Sequence, residues 1–202
     1  MPKLEFFFDC SSPWTYLAFS QIEAVAERTG TEISWRPVLV GGVFNAVNQS
    51  VYEQRANPVP SKARYRAKDL GDWASHYGIE IKWPSVFPVR AVDAMRGAIV
   101  ALDAGRLPAY ARRCFGAYWG EDRDISQQGE LEAIASEAGL DAGTFWHQLK
   151  SDGVKQRLKD NTDELVARGG FGSPTMFVGG DDMYFGNDRL ALVEAALRGA
   201  RP

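Results

Sequence analysis

Cysteine and histidine are scarce in this 202-residue chain, two of each: Cys10, Cys114, His76 and His147. Two distant cysteines cannot staple a disulfide scaffold and do not form a Cys-x-x-Cys pair. With the histidines equally scattered, no metal site is expected. A basic block is also missing. The chain carries 23 Lys+Arg against 26 Asp+Glu, a net charge of −3, which excludes the electrostatic footprint of a nucleic-acid binder. Apolar runs such as Phe6-Phe7-Phe8 are far too short to span a bilayer, so no membrane partner is expected. Behind Lys3 there is no apolar stretch of leader length, and the expected location is the cytoplasm.

The chain has the length to bury one substantial core. Leu4 to Phe8 is a short apolar run ending in Asp9-Cys10-Ser11-Ser12-Pro13, a buried strand entering a turn. Ser12-Pro13 is a strong helix start, serine at the N-cap and proline at the first helical position. Tyr16, Leu17, Phe19, Ile22, Val25 and Ala26 then recur at helical spacing until Gly30. Glu32 to Pro37 alternates like a second strand.

From about Ser61 to Arg168 helix formers dominate, with apolar stripes at Leu70/Trp73/Ala74/Tyr77, Ala94/Ala98/Ala101/Leu102, Phe115/Tyr118/Trp119 and Leu131/Ile134/Ala135. A helix begun by Asp141 or Thr144 and a longer one through Val154, Leu158 and Leu165 complete the block. Pro174 to Val178 and Met183 to Phe185 are strands joined by a Gly-Gly-Asp-Asp turn, and a last helix follows Asn187 and Asp188. The order β-α-β, helices, β-β-α describes an α/β fold. Residues 1–60 and 169–202 form its sheet-bearing unit, and a helical subdomain over 61–168 is inserted between them.

Three turns are candidates for chemistry. Asp9 to Pro13 leaves a strand and opens a helix, so free N–H groups and the positive end of the helix dipole converge there and favour an anion. Ser12 either caps its helix or donates to that anion; Cys10, nearer the strand end, reads as a small buried hydrophobe. Ser173-Pro174 is either a proline tolerated at a strand start or a cis bond beside a peptide-like ligand. Asn187 and Asp188 either cap the last helix or grip the ends of a zwitterion. No catalytic triad and no phosphate loop can be assembled. Lys62 sits in the first turn of its helix, on a solvated basic face from which it could reach a ligand carboxylate.

With these residues in hand, the chain resembles the 2-hydroxychromene-2-carboxylate isomerase family, close relatives of the kappa-class glutathione transferases within the thioredoxin-like group that includes DsbA. The resemblance rests on FFFDCSSPWTYL over 6–17, RPVLVGGVF over 36–44, KARYRAKDL over 62–70, FGSPTMF over 171–177 and FGNDRL over 185–190. It implies a thioredoxin-like fold with a helical insertion, glutathione as cofactor, a small aromatic substrate and a homodimer. It also implies roles: Ser12 hydrogen-bonds the glutathione sulfur, the main chain of Ser173 beside a cis Pro174 pairs with the cysteinyl part, Asn187 and Asp188 hold the γ-glutamyl end, and Lys62 contacts glutathione. An asparagine contact falls on Asn48 or Asn57.

The chain departs from the family around Trp83 to Pro88, where Val86 and Phe87 replace residues that contact the aromatic acid, and at Asn45, where a lysine is frequent. The activity implied is glutathione-dependent isomerisation of a 2-hydroxychromene-2-carboxylate-type catabolite. A kappa-like transferase and a DsbA-like thiol oxidoreductase are the alternatives, the latter lacking its second cysteine.

Overall fold

A computed structural model describes residues 3–199; the ends of the sheet-bearing unit at 1–2 and 200–202 lie outside the described residues. Four strands, β1 (Leu4–Phe8), β2 (Ile33–Pro37), β3 (Thr175–Val178) and β4 (Asp182–Phe185), form one sheet in the order β2-β1-β3-β4. β1 runs parallel to β2 and antiparallel to β3, and β3 and β4 form an antiparallel hairpin.

β1 reads as a nearly continuous apolar run because it is buried on both faces. Leu4, Phe6 and Phe8 point into the main core with Phe19, Ile22, Ala94, Met95 and Phe115. Phe7, on the other face, meets Val38, Val43, Leu165 and Phe177. Helix α1 (Pro13–Thr29) follows β1; its last turn closes at Gly30, left-handed at φ 62°, with Thr31 N–H donating to Ala26 O across 2.9 Å.

Two short helices that no periodic stripe announces come next, α2 (Val40–Val47) and α3 (Ser50–Ala56). Helix α3 buries none of its residues, so no apolar face marks it in the sequence. Helices α4 (Pro60–Tyr77), α5 (Val92–Asp103), α6 (Leu107–Phe115), α7 (Gln128–Glu137), α8 (Ala142–Leu149) and α9 (Asp152–Ala167) then build the helical layer. Asp141 caps α8, accepting from Gly143 N–H. The stripe at Phe115, Tyr118 and Trp119 does not lie on one α-helix. Helix α6 ends at Phe115 and continues as a π-helical turn, Gly116–Gly120, which carries Tyr118 and Trp119 inward.

Helix α10 (Leu190–Leu197) follows β4 after a 3₁₀ turn at Asn187–Arg189, and packs on α1 and β3. Neither Asn187 nor Asp188 caps it by a side-chain hydrogen bond. Among the described residues no helix is long and apolar enough to cross a membrane, and no group of three or more potential ligands could hold a metal ion.

Candidate active site

The turn that opens α1 is tied to the loop before β3. Ser12, extended at φ −104° and ψ 122°, accepts from Thr15 N–H through Oγ at 3.2 Å, as an N-cap should. The same hydroxyl donates to the carbonyl of Ser173 at 3.2 Å. Ser173 Oγ is fixed in turn by Thr15 Oγ1 at 2.8 Å and by Asp9 N–H, which donates to it at 3.1 Å. The Ser173–Pro174 bond is cis. Ser12 therefore caps its helix, as one reading of it expects, and its hydroxyl proton is directed at the cis-proline loop.

The next turn is attached to the same loop, because Gly186 N–H donates to Pro174 O at 3.1 Å. Gly186 has φ 104°, and a Cβ there would lie 2.7 Å from Asp188 Oδ1, so the position requires glycine. Asn187 is 3 % exposed, and among the described residues its Nδ2 makes no well-formed hydrogen bond, with only the Tyr77 phenol close enough to interact. Tyr77, at the end of α4, senses that amide: burial pushes the phenol pKa up, while Asn187 acts in the opposite sense. Asp188 is exposed and pairs with Arg189 at 2.7 Å.

An aromatic wall also reaches the Asp9–Pro13 turn that opens α1. Trp119 Nε1 donates to Cys10 O at 2.9 Å and so anchors the wall two residues from Ser12. Phe87 lies 6.2 Å from Trp119 and 4.6 Å from Trp83, which is 64 % exposed. Val86 has an exposed side chain, and its carbonyl accepts from Tyr118 Oη at 2.9 Å. Arg55 of α3 stacks between Phe44 (5.6 Å) and Phe87 (5.5 Å) without an ion-pair partner among the described residues.

Ser12, Ser173, Pro174, Asn187 and Asp188 are thus brought into one continuous cluster. Asn48 joins its edge: Nδ2 donates to Phe171 O at 3.1 Å, while Oδ1 accepts from Ser50 Oγ. Asn57 ends α3 through its own N–H and, among the described residues, has no such tie to the loop. Lys62 is exposed in the first turn of α4, and among the described residues no hydrogen bond or ion pair joins it to the cluster. Phe87 belongs to the aromatic wall; Val86 borders it.

Cys10 is fully buried beside Cys114, both thiols free, and burial, followed by the neighbouring Cys114, pushes the Cys10 pKa well up. That environment disfavours a thiolate. His76 and His147 are exposed on helices. A surface groove of about 840 Å³ between α2 and α9 shares no residue with the Ser12 cluster. Reading the sequence alone overlooks Thr15 and Arg55, and it gives no individual role to Asp9 or Trp83, although both lie in stretches it singles out. Thr15 carries a signal, being the third helical residue after the cap; Arg55 carries none, since its partners come from two distant segments.

The DSBA-like thioredoxin domain matches residues 3–198. A 2-hydroxychromene-2-carboxylate isomerase of Pseudomonas putida is 30 % identical over 194 residues, covering 96 % of this chain and 93 % of its own. Glutathione S-transferase kappa 1 of Rattus norvegicus is 25 % identical over 203 residues, covering 94 % and 88 %. The solved structure of a 2-hydroxychromene-2-carboxylate isomerase superposes with a TM-score of 0.80 at 30 % identity, over 96 % of this chain and 93 % of that one. The mixed sheet with its inserted helices is accordingly a thioredoxin-like core with a large helical insertion. The chain belongs to the DSBA-like thioredoxin family and is kin to its 2-hydroxychromene-2-carboxylate isomerases.

Proposed function

We propose that this protein is a glutathione-dependent isomerase that converts 2-hydroxychromene-2-carboxylate-type aromatic catabolites into trans-o-hydroxybenzylidenepyruvate. One observation carries the reading: a hydroxyl, Ser12, stands at the N-terminus of α1 facing the Ser173–Pro174 loop, and the only neighbouring cysteine is buried. A site that lacks its own accessible thiol but is built to stabilise one suits a thiol brought by a ligand.

The chain's residues fit that ligand. A free thiol titrates near pH 8.5, so at neutral pH only a few per cent is thiolate. The N-terminal amides of α1 and the Ser12 hydroxyl stabilise the anion and raise that fraction. The Ser12 donor, now spent on Ser173 O, turns to the sulfur, and the freed carbonyl of Ser173 becomes available to a peptide N–H. The Nδ2 of Asn187, buried without a well-formed hydrogen bond, supplies a donor for a carbonyl or carboxylate of the γ-glutamyl end, and Asp188 offers a carboxylate for its ammonium. Glutathione held by these residues would supply a nucleophilic sulfur for reversible conjugate addition, the chemistry by which a cis double bond is exchanged for a trans one without consuming the thiol.

The aromatic wall of Trp83, Phe87 and Trp119 holds the planar ring, and the unpaired guanidinium of Arg55 meets its carboxylate. A second reading, conjugation of glutathione to aromatic electrophiles, is favoured by the exposure of Trp83 and Val86, which leaves the wall open to other rings.

The test is calorimetry with glutathione, followed by turnover. The expected result is millimolar or tighter binding, with the chromene carboxylate converted while glutathione remains undiminished. Stoichiometric loss of glutathione with a chloronitroaromatic, and no isomerisation, transfers the assignment to the second reading. No heat of binding overturns both.

A further inference from the structure

Asp9 is 1 % exposed, and no lysine or arginine pairs with it among the described residues. Its carboxylate is nevertheless fully used, and by two separate pieces of chain. Oδ1 accepts from Ser11 N–H and from Ser11 Oγ, both at 2.8 Å. Oδ2 accepts from Val40 N–H at 2.8 Å. Val40 is the first residue of α2, whose N-cap, Leu39, has no side chain able to cap it. Asp9 therefore caps α2 from across the fold, with the charge favoured at a helix N-terminus.

The two attachments join the two halves of the site. Ser11 precedes Ser12 in the thiol turn. Helix α2 carries Phe44, on which Arg55 stacks before it reaches Phe87. The main chain of Asp9 adds two further ties, its N–H donating to Ser173 Oγ and its carbonyl accepting from Ser12 N–H.

We propose that Asp9 is a positioning residue: its carboxylate clamps the thiol turn to the N-terminus of α2 and thereby sets the distance between the sulfur site and the side that receives the aromatic acid. The kinetic meaning of this role rests on the glutathione reading above. A carboxylate is needed because three donors converge on two oxygens. An amide of the same size has one accepting oxygen, and its NH₂ group meets a donor on the other side.

Two variants test the clamp from opposite ends. Asp9→Asn releases one attachment. Val40→Pro removes the Val40 donor and replaces one buried apolar side chain by another; proline suits the first position of a helix, and Leu39 before it is already extended, at ψ 104°. In both, glutathione affinity by calorimetry should stay within about threefold of wild type, since the Ser173 and Asn187 contacts remain. The kcat for the chromene carboxylate should fall roughly 10²-fold in Asp9→Asn and about tenfold in Val40→Pro, because ångström-scale misplacement is costly to a bimolecular encounter. The double variant should be no slower than Asp9→Asn, since both changes cut the same tie.

Hydrogen exchange gives a readout independent of turnover: in Asp9→Asn the Ser11 or the Val40 amide, whichever then faces the NH₂ group, should lose protection. A folded Val40→Pro with wild-type kcat, or Ser11 and Val40 amides that keep their protection in Asp9→Asn, overturns the clamp. Wild-type protein that binds no glutathione overturns the functional reading instead, and the exchange measurement still decides the clamp. Should Asp9→Asn fail to fold, Val40→Pro carries the kinetic test alone.

Discussion

Ser12 Oγ and the main-chain carbonyl of Ser173 share a hydrogen bond of 3.2 Å although 161 positions separate them. The bond is side chain to main chain, so its acceptor survives any substitution at 173, while its donor depends wholly on residue 12. Ser12→Ala removes that donor and the cap that receives Thr15 N–H. The cap loss costs about 1 kcal/mol, seen as a small fall in the denaturant midpoint. If Ser12 serves the bound sulfur, its loss should lower turnover roughly 10²-fold, with glutathione affinity little changed below the thiol pKa, where the ligand is neutral, and weakened above it. Ultraviolet absorbance of the thiolate, titrated against pH in the complex, checks the cause: the bound thiol should titrate higher in the variant.

Much of this was legible from the residues, for reasons particular to each. β1 was readable because both its faces are buried, and α1 because Ser12-Pro13 and Gly30 mark its two ends. Trp119 was readable as core but not as the donor to Cys10 O, because the π-helical turn at Gly116–Gly120 sets its direction. Helix α3 left no trace, having no buried residue, and Arg55 went unseen with it. The convergence of Ser12, Ser173 and Asn187 was visible only through the resemblance, since nothing local shows that Pro174 O receives Gly186 N–H.

Cys10 neighbours the thiol turn, yet its side chain belongs to the core. Both cysteines are fully buried, and burial holds the Cys10 thiol well above its ordinary pKa. A maleimide reagent should label neither thiol in the native protein and both after denaturation. Cys10→Ala should keep turnover within about twofold of wild type, the size expected of a change that removes no reacting group. Insulin reduction should be absent in both. Native labelling of Cys10, or insulin reduction that disappears with it, restores the oxidoreductase reading.

On the opposite face of the sheet Glu5 accepts from Arg168 at 2.9 Å, Arg36 at 3.1 Å and Lys3 at 3.2 Å. Burial alone would raise its pKa, but the three cations outweigh it and hold the carboxyl below its ordinary value of 4.5. A depressed carboxylate contributes stability that is present above the unfolded pKa and lost as pH falls through the folded one. The urea midpoint of wild type should therefore decline on acidification below about pH 4.5, the unfolded value. Glu5→Gln should cost about 2 kcal/mol at neutral pH and show a shallower acid decline. Parallel declines in the two proteins remove Glu5 from the acid response.

Arg55 separates the two substrate classes that the site could serve. Its guanidinium lies over Phe44 and Phe87, held by ring faces and, among the described residues, by no carboxylate, which leaves its charge for a ligand. Arg55→Met keeps an unbranched apolar stem against both rings and deletes the charge. If the site recognises an aromatic carboxylate, KM for the chromene acid should rise about tenfold, the lower end for a charged hydrogen bond because the residue is exposed. A neutral chloronitroaromatic should bind as before, since stacking on Phe87 and Trp119 does not need the charge. Arg55→Lys should fall between, with a point charge in place of a planar fork. Equal losses for acid and neutral compound would mean that Arg55 only packs the wall; an effect confined to the acid, and reduced by added salt, ties the guanidinium to the carboxylate.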